Sequence, residues 1–225
     1  MKYILLLLLI TGCSLYKNSS GKTYNGNDFT GIEQLVPIAA KDTSYTNYFN
    51  LRDTVTRDGW EIHYLVKNDS TRYTDAYIQW QKGDVKRVYK YNNALQFRGS
   101  FMPQLLEEND THIFMEHWCA TDCMAILALP KNSRDDAMDI EAIIGYNPEF
   151  GQFVYREYKN DGFIAATAID LKRSKKKSVT FKNKTYSMGN SFVESIVFKG
   201  DSIVIVGEFF DKDSETVKEV QTIRF

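Results

Sequence analysis

Neither an excess of charge nor a long hydrophobic segment marks the body of this chain. Its 28 basic residues are matched by 29 acidic ones, which gives a formal net charge of −1. A nearly neutral protein lacks the positive surface that nucleic-acid binding requires, so nucleic acid is excluded as a partner. After residue 13, no apolar stretch approaches the ~20 residues of a membrane-spanning helix. We therefore expect the chain after residue 13 to fold in the way that water-soluble proteins do.

Recognisable catalytic motifs are absent as well. The sequence has no G-x-S-x-G nucleophile elbow, no H-E-x-x-H pair, no Walker loop and no G-x-G-x-x-G run. A pair of catalytic carboxylates leaves no such signature, because spacing along the chain does not give a separation of ~5–9 Å in space. Enzymatic activity and a cofactor are therefore not expected, although a hydrolase with an unrecognised carboxylate pair stays open.

An acidic cluster between residues 135 and 141 has no binding signature of its own. It lacks the glycine that an EF-hand calcium loop requires. We interpret it as a solvated turn, formed by Asp135, Asp136, Asp139 and Glu141.

Helix signals are few, and strand signals are many. The only candidates for helical turns are residues 104–110 and 133–138. From residue 45 onward, short runs rich in aromatic and β-branched residues recur every 8–12 residues. Trp60, Ile62 and Tyr64 alternate with other residues, which is typical of a half-buried strand. The sequence predicts an antiparallel all-β protein of about a dozen short strands with little helix.

Turn residues place the hairpins and limit the possible architectures. Lys199-Gly200-Asp201 separates the clearest strand pair, 192–198 and 203–209, and Lys82-Gly83-Asp84 separates another. A β-propeller would show a sequence period of roughly 40–50 residues, and none is evident. We therefore predict one β-rich domain over residues 32–225, built as a β-sandwich or a partly closed barrel.

The one strongly hydrophobic segment opens the chain. Lys2 supplies a single positive charge, an apolar stretch follows, and Ile10-Thr11-Gly12-Cys13 closes it. This stretch is under half the length of a spanning helix. It resembles the signal peptide of bacterial lipoproteins, whose lipobox ends at the cysteine that becomes acylated.

The resemblance implies a lipid-anchored protein of the cell envelope. Residues 1–12 would be removed, and Cys13 would carry a diacylglycerol on sulfur and a further acyl chain, such as palmitate, on its amine. Two or three acyl chains hold a protein durably on a bilayer. Residues 13–31 then form a flexible tether, because their polar composition cannot bury enough apolar area to fold. An aspartate directly after the acylated cysteine would favour retention in the inner membrane. That position holds Ser14, which favours the outer membrane.

The other two thiols, Cys119 and Cys123, are predicted to form a disulfide in that oxidising compartment. Four steps of extended strand would place their Cα atoms ~13 Å apart, beyond the ~7 Å limit for a disulfide. The bond therefore requires a tight loop or a helical turn, most simply the tip of a hairpin.

Two other uses of these thiols stay open. Thiolates with imidazole suit zinc or Cu(I), and His112 and His117 lie close in sequence. A redox-active dithiol is the third option, although its usual spacing is C-x-x-C.

A basic run lies between two predicted strands. On a hairpin tip it would keep a sheet edge soluble, and it could instead contact anionic lipid headgroups. It consists of Lys172, Arg173, Lys175, Lys176 and Lys177.

Taken together, these features predict a non-enzymatic envelope lipoprotein. Its partners are the membrane, through acylated Cys13, and an envelope protein, peptide or glycan. The alternatives are an envelope-polymer hydrolase and metal handling through Cys119, Cys123 and His117.

Overall fold

Most residues that the structure describes lie in antiparallel β-strands. The computed structural model describes residues 22–25, 34–38, 51–67, 76–91, 102–121, 123–158, 164–182, 193–210, 213 and 215–225. Seventeen strands occur within these ranges, so the prediction of an antiparallel all-β chain is confirmed. Cys13 and the predicted tether at residues 14–21 and 26–31 lie outside the described residues. The prediction of a flexible tether is wrong for residues 22–25, because they form a strand whose backbone pairs with residues 87–90.

The strands group into four antiparallel sheets. Sheet 1 contains β1 (Lys22–Asn25), β2 (Leu35–Pro37), β3 (Thr54–Val55), β4 (Glu61–Lys67), β5 (Ala76–Lys82) and β6 (Val85–Tyr91). Sheet 2 contains β7 (Gln104–Glu108), β8 (His112–Ala120), β9 (Cys123–Pro130) and β10 (Met138–Ile140). Sheet 3 contains β11 (Ile143–Asn147), β12 (Gln152–Tyr158), β13 (Ile164–Asp170) and β14 (Lys175–Thr180). Sheet 4 contains β15 (Val193–Phe198), β16 (Ser202–Phe210) and β17 (Thr216–Arg224).

Sheets 2, 3 and 4 are simple meanders, with neighbouring strands adjacent in the chain. Sheet 1 has the order β1-β6-β5-β4-β2, and β3 also pairs with β4. The two proposed helical turns are wrong: residues 104–108 form the edge strand β7, and residues 133–135 are bends that lead toward β10. Residues 104–108 form backbone hydrogen bonds with β8. An isolated helical turn would leave most of its backbone N–H and C=O groups without a partner in the protein.

Two glycines make the predicted hairpin turns possible. Gly83 connects β5 to β6 with a φ of 56°, and Gly200 connects β15 to β16 with a φ of 78°. Side chains other than glycine rarely adopt this left-handed conformation. Both Lys-Gly-Asp turns are therefore confirmed.

The sheets pack face to face in chain order. Ile62 and Trp80 of sheet 1 belong to the same buried cluster as Met115 of sheet 2. On the other face of sheet 2, the rings of Phe114 and Phe153 lie 5.2 Å apart and join sheet 2 to sheet 3. Because successive side chains of a strand point to opposite faces, β8 is buried on both sides.

The third interface joins sheet 3 to sheet 4. Val154 and Ala166 share a buried cluster with Ile205. The rings of Phe181 and Phe209 lie 5.3 Å apart within the same cluster. Each of the three interfaces thus resembles the interior of a β-sandwich, and the described strands form no closed barrel.

A regular spacing underlies this stack even though the sequence shows no repeat. The principal meanders begin at Glu61, Gln104, Ile143 and Val193, at intervals of roughly 40–50 residues. The interfaces are filled by different side chains, which explains why a sequence period is not visible. In the part of the chain that the structure describes, no helix has the length and apolar character needed to cross a bilayer.

Candidate functional site

Cys119 and Cys123 form a disulfide at the tip of the β8–β9 hairpin. Their Cα atoms lie 5.0 Å apart, within the range that a disulfide requires. The register is Trp118 opposite Met124 and then Ala120 opposite Cys123, so the ladder is irregular at the tip. The predicted bond and its predicted hairpin setting are both present.

Trp118, immediately before the disulfide, is unlike the other two tryptophans. Its side chain is 48 % exposed, whereas Trp60 and Trp80 are 6 % and 0 % exposed. Trp80 also donates its indole N–H to the carbonyl of Pro130 at 2.8 Å, which ties sheet 1 to sheet 2. The buried tryptophans therefore build the core, and Trp118 presents an aromatic surface to solvent.

A pocket of about 240 Å³ lies beside this hairpin tip. We call it the tip pocket, and its walls are Met102, Gln104, Glu116, His117, Trp118 and Met124.

The strand register explains why the tip pocket exists. Strand β7 begins with Gln104 opposite Glu116, so residues 117–120 of β8 extend beyond the end of its neighbour. Glu116 and Trp118 point to one face of sheet 2, and His117 points to the other. The tip pocket therefore lies around the edge of sheet 2 rather than on one of its faces.

His117 is held from both sides by hydrogen bonds. Its Nε2 lies 2.8 Å from Oδ1 of Asp139, and its Nδ1 lies 3.0 Å from the hydroxyl of Tyr91. Carboxylate oxygens accept, so Nε2 donates to Asp139, and in the tautomer that carries its proton on Nε2 the ring accepts the Tyr91 hydroxyl proton at Nδ1. These bonds connect β6 of sheet 1 to β8 and β10 of sheet 2.

Two acidic side chains, Asp139 and Glu141, lie near His117. Burial raises the pKa of the Glu141 carboxyl, and the neighbouring Asp139 raises it further, while His117 acts in the opposite direction. Asp139 and Glu141 are half-buried. Their interpretation as part of a solvated turn is wrong, because pairing of β10 with β9 draws Asp139 toward His117.

Known proteins give no further guide to this site. No family model matches the chain, and no curated protein or solved structure matches it either. The site must therefore be interpreted from its own chemistry.

The candidate metal ligands are not brought together. His112 lies at the start of β8 and His117 near its end, while both sulfurs are joined in the disulfide. Within the described ranges, no group of three histidine, cysteine, aspartate or glutamate side chains is placed to hold a metal ion. His112 instead lies 2.9 Å from Thr111 Oγ1, and burial lowers the pKa of its ring to about 4.

The basic run forms the β13–β14 turn and the first part of edge strand β14. Lys172 and Arg173 lie in the turn, and Lys175 begins the strand. Arg173 bonds buried Asp170 and the carbonyl of Gly200. These contacts give part of the run a role in joining sheet 3 to sheet 4.

The next two lysines of the run also contact the protein itself. Lys176 Nζ lies 3.7 Å from Glu157 and 5.2 Å from the ring centre of Tyr155. Lys177 Nζ donates to the carbonyl of Arg224 at 2.5 Å. Lysines on edge strand β14 are in the position expected of residues that discourage sheet-to-sheet association.

A wider hollow of about 620 Å³ lies at the opposite end of sheets 1 and 2. Its charged groups bond one another: Lys131 lies 2.6 Å from Asp58 Oδ2, and Lys82 donates to the Asp58 carbonyl. These groups join loops of the two sheets, so the tip pocket is the better candidate for ligand binding.

Sequence reasoning missed two members of the site. Tyr91 lies 26 positions from His117 and Asp139 lies 22 positions from it. No local pattern connects residues at these separations, since Tyr91 reaches His117 only because sheet 1 stacks on sheet 2, and Asp139 reaches it only because β10, β9 and β8 are neighbours in sheet 2.

Proposed function

We propose that this protein is a lipid-anchored lipoprotein of a bacterial cell envelope, whose folded part binds a protein, peptide or glycan through the tip pocket. The lipobox ending at Cys13 supports the anchor, and Ser14 supports an outer-membrane address. The observation that carries the binding role is the 48 % exposure of Trp118 on the wall of a pocket.

The physical case for binding rests on a rigid aromatic group beside a cavity. Exposed tryptophan is costly to leave in water, and tryptophan is enriched among the residues that dominate binding energy. The disulfide restricts the hairpin that carries Trp118, so little conformational entropy is lost when a ligand contacts it.

The anchor is tested by metabolic labelling with an alkyne analogue of palmitate. Wild-type protein is expected to take up label and to fractionate with membranes, and Cys13→Ser is expected to do neither. Globomycin, which blocks lipoprotein signal cleavage, should cause the unprocessed chain to accumulate. Label at a position other than Cys13, or processing that ignores globomycin, contradicts the lipoprotein assignment.

The binding role is tested by site-specific photocrosslinking in intact cells. A photoreactive residue at Met124, on the pocket wall, is expected to give a discrete adduct. The same residue at Val220, which is 61 % exposed on β17, is the control. An absence of adducts from Met124 and Gln104, in cells where the protein is lipidated, contradicts a binding role for the tip pocket.

A hydrolase of envelope polymers is the second candidate function. The observation that favours it is the half-buried Glu141 beside Asp139, since burial and that neighbouring carboxylate raise the pKa of Glu141 as in a catalytic carboxylate pair. Incubation of the protein with cell-wall polymer should release fragments if this is correct, and Glu141→Gln should stop the release. Equal release by Glu141→Gln and wild type removes the pair from consideration.

A further inference from the structure

The walls of the tip pocket combine soft, electron-rich groups with one carboxylate. Trp118 contributes an indole, and Met102 and Met124 contribute polarisable thioethers. Glu116 is the one carboxylate, and no lysine or arginine is among the described residues that line the pocket. Aromatic rings attract cations, and thioethers adapt to varied shapes.

Glu116 has no partner for its charge among the described residues. Within the described part of the chain it forms no ion pair and no side-chain hydrogen bond, and it is exposed. Two other carboxylates of sheet 2 differ in this respect: Glu108 is paired with Lys131 at 2.8 Å, and Asp139 is bonded to His117. A carboxylate left unpaired on a pocket wall is available to a ligand.

Few polar groups of the pocket remain for an uncharged ligand. Both ring nitrogens of His117 are already bonded, to Tyr91 and to Asp139. Glu116 and Gln104 are the polar side chains left on the wall. A sugar ring presents several hydroxyl groups that each need a partner, whereas a cation needs one carboxylate and an aromatic surface.

The size of the pocket also favours a single side chain. Sites for drug-sized ligands measure ~300–1,000 Å³, and the tip pocket measures about 240 Å³. The Glu116 carboxylate, with no lysine or arginine among the described residues of the wall, attracts positive charge and repels acidic ligands.

We infer that the tip pocket binds the cationic side chain of a lysine or arginine from a partner peptide. The ammonium or guanidinium group pairs with Glu116, and its methylene stem packs on Trp118 and Met124. This inference rests on the proposed binding function and narrows its ligand to a basic peptide.

The test is a titration of the full chain, in detergent, with the peptide acetyl-Gly-Ser-Lys-Ser-Gly-amide. Nuclear magnetic resonance would follow the three tryptophan indole N–H signals and the methionine methyl signals. We expect saturable shifts of the Trp118 indole and the Met124 methyl group, and an unshifted Trp80 indole. The peptide in which arginine replaces the lysine should also bind. The peptide in which Nε-acetyl-lysine replaces it should have no measurable affinity.

Two carboxylate variants make the test specific. Glu116→Gln keeps the shape of the wall and removes its charge, and should weaken binding about tenfold. Glu107→Gln is the matched control, since Glu107 is exposed on the same sheet but is outside the pocket wall. Equal effects of the two substitutions overturn the inference, as does equal binding of the acetylated and unmodified lysine peptides.

The outcomes also separate this inference from the proposed function. If chitotriose shifts the Trp118 indole and the lysine and arginine peptides do not, the inference is wrong and a binding role for the pocket stands. If no probe shifts the pocket signals, the inference is wrong, and photocrosslinking at Met124 decides the wider proposal.

Discussion

Lys131 and Glu108 form an ion pair that is almost fully excluded from water. Nζ of Lys131 lies 2.8 Å from Oε2 of Glu108, and the two side chains are 8 % and 4 % exposed. The backbone N–H of Asp58 donates to the other Glu108 oxygen at 2.6 Å. Burial raises the pKa of Glu108, but Lys131, Asp58 N–H and Thr56 together outweigh it and hold that pKa below its usual value. The pair therefore joins β7 and the end of β9 to a turn of sheet 1.

Removing the cation of this pair should destabilise the protein strongly. Lys131→Met leaves the Glu108 carboxylate buried without its partner, and we expect a loss of about 3 kcal/mol in the free energy of unfolding. Urea denaturation measures it. Lys175→Met, at an exposed lysine of β14, is the control and should change stability by less than about 0.5 kcal/mol. Similar losses in the two variants would show that the buried pair has no special role.

His112 should make stability depend on pH in the mildly acidic range. Burial holds the pKa of its ring at about 4 in the folded protein, against 6.5 for a histidine exposed to water. The unfolded chain therefore binds the extra proton first, so this stabilisation is complete above pH 6.5 and is lost as pH falls toward 4. The contribution amounts to about 3 kcal/mol at most.

A ring titration and a variant measure this effect. The His112 ring should titrate near pH 4 in folded protein, as followed by nuclear magnetic resonance. His112→Phe should flatten the stability curve between pH 4 and 6.5, as measured by urea denaturation. A His112 ring that is already protonated at pH 6, with the fold intact, contradicts the prediction.

The three tryptophans should differ in solvent access and in their effect on stability. Acrylamide should quench the fluorescence of Trp118, while Trp60 and Trp80 are shielded by the core. Trp118→Ala should change stability by less than about 0.5 kcal/mol. Trp80→Phe, which removes volume and the bond to Pro130, should cost about 2 kcal/mol. Quenching that persists in Trp118→Ala would show that a second tryptophan is accessible.

The disulfide should shape the tip more than it stabilises the fold. It closes a loop with a sequence separation of only 4, so replacing both cysteines by serine should cost about 2 kcal/mol. We expect larger changes in the signals of Trp118 and Met124 than in those of Trp80. Peptide mapping without reductant should recover Cys119 joined to Cys123, and free thiols in the unreduced, denatured protein would contradict this bond.

Much of the strand content could be predicted because its causes are local. Alternating side chains identified β4, and glycines able to adopt a positive φ marked the turns after β5 and β15. Residues 104–108 were assigned wrongly because an edge strand depends on its one partner, β8, for all of its inter-strand hydrogen bonds. Asp139 of the acidic cluster was misinterpreted for a similar reason, since its environment depends on β9 and β8.

The sequence alone determined that strands dominate and that two cysteines close a hairpin tip, because both follow from patterns spanning a few residues. It also supplied the lipobox on which the proposed address depends. Only the stacking of sheet 1 on sheet 2 brought Tyr91 to His117, and only the pairing of β10 with β9 brought Asp139 there. Only the offset between β7 and β8 opened a pocket beside Trp118. Such features depend on contacts between distant segments, which local propensity and turn chemistry do not specify.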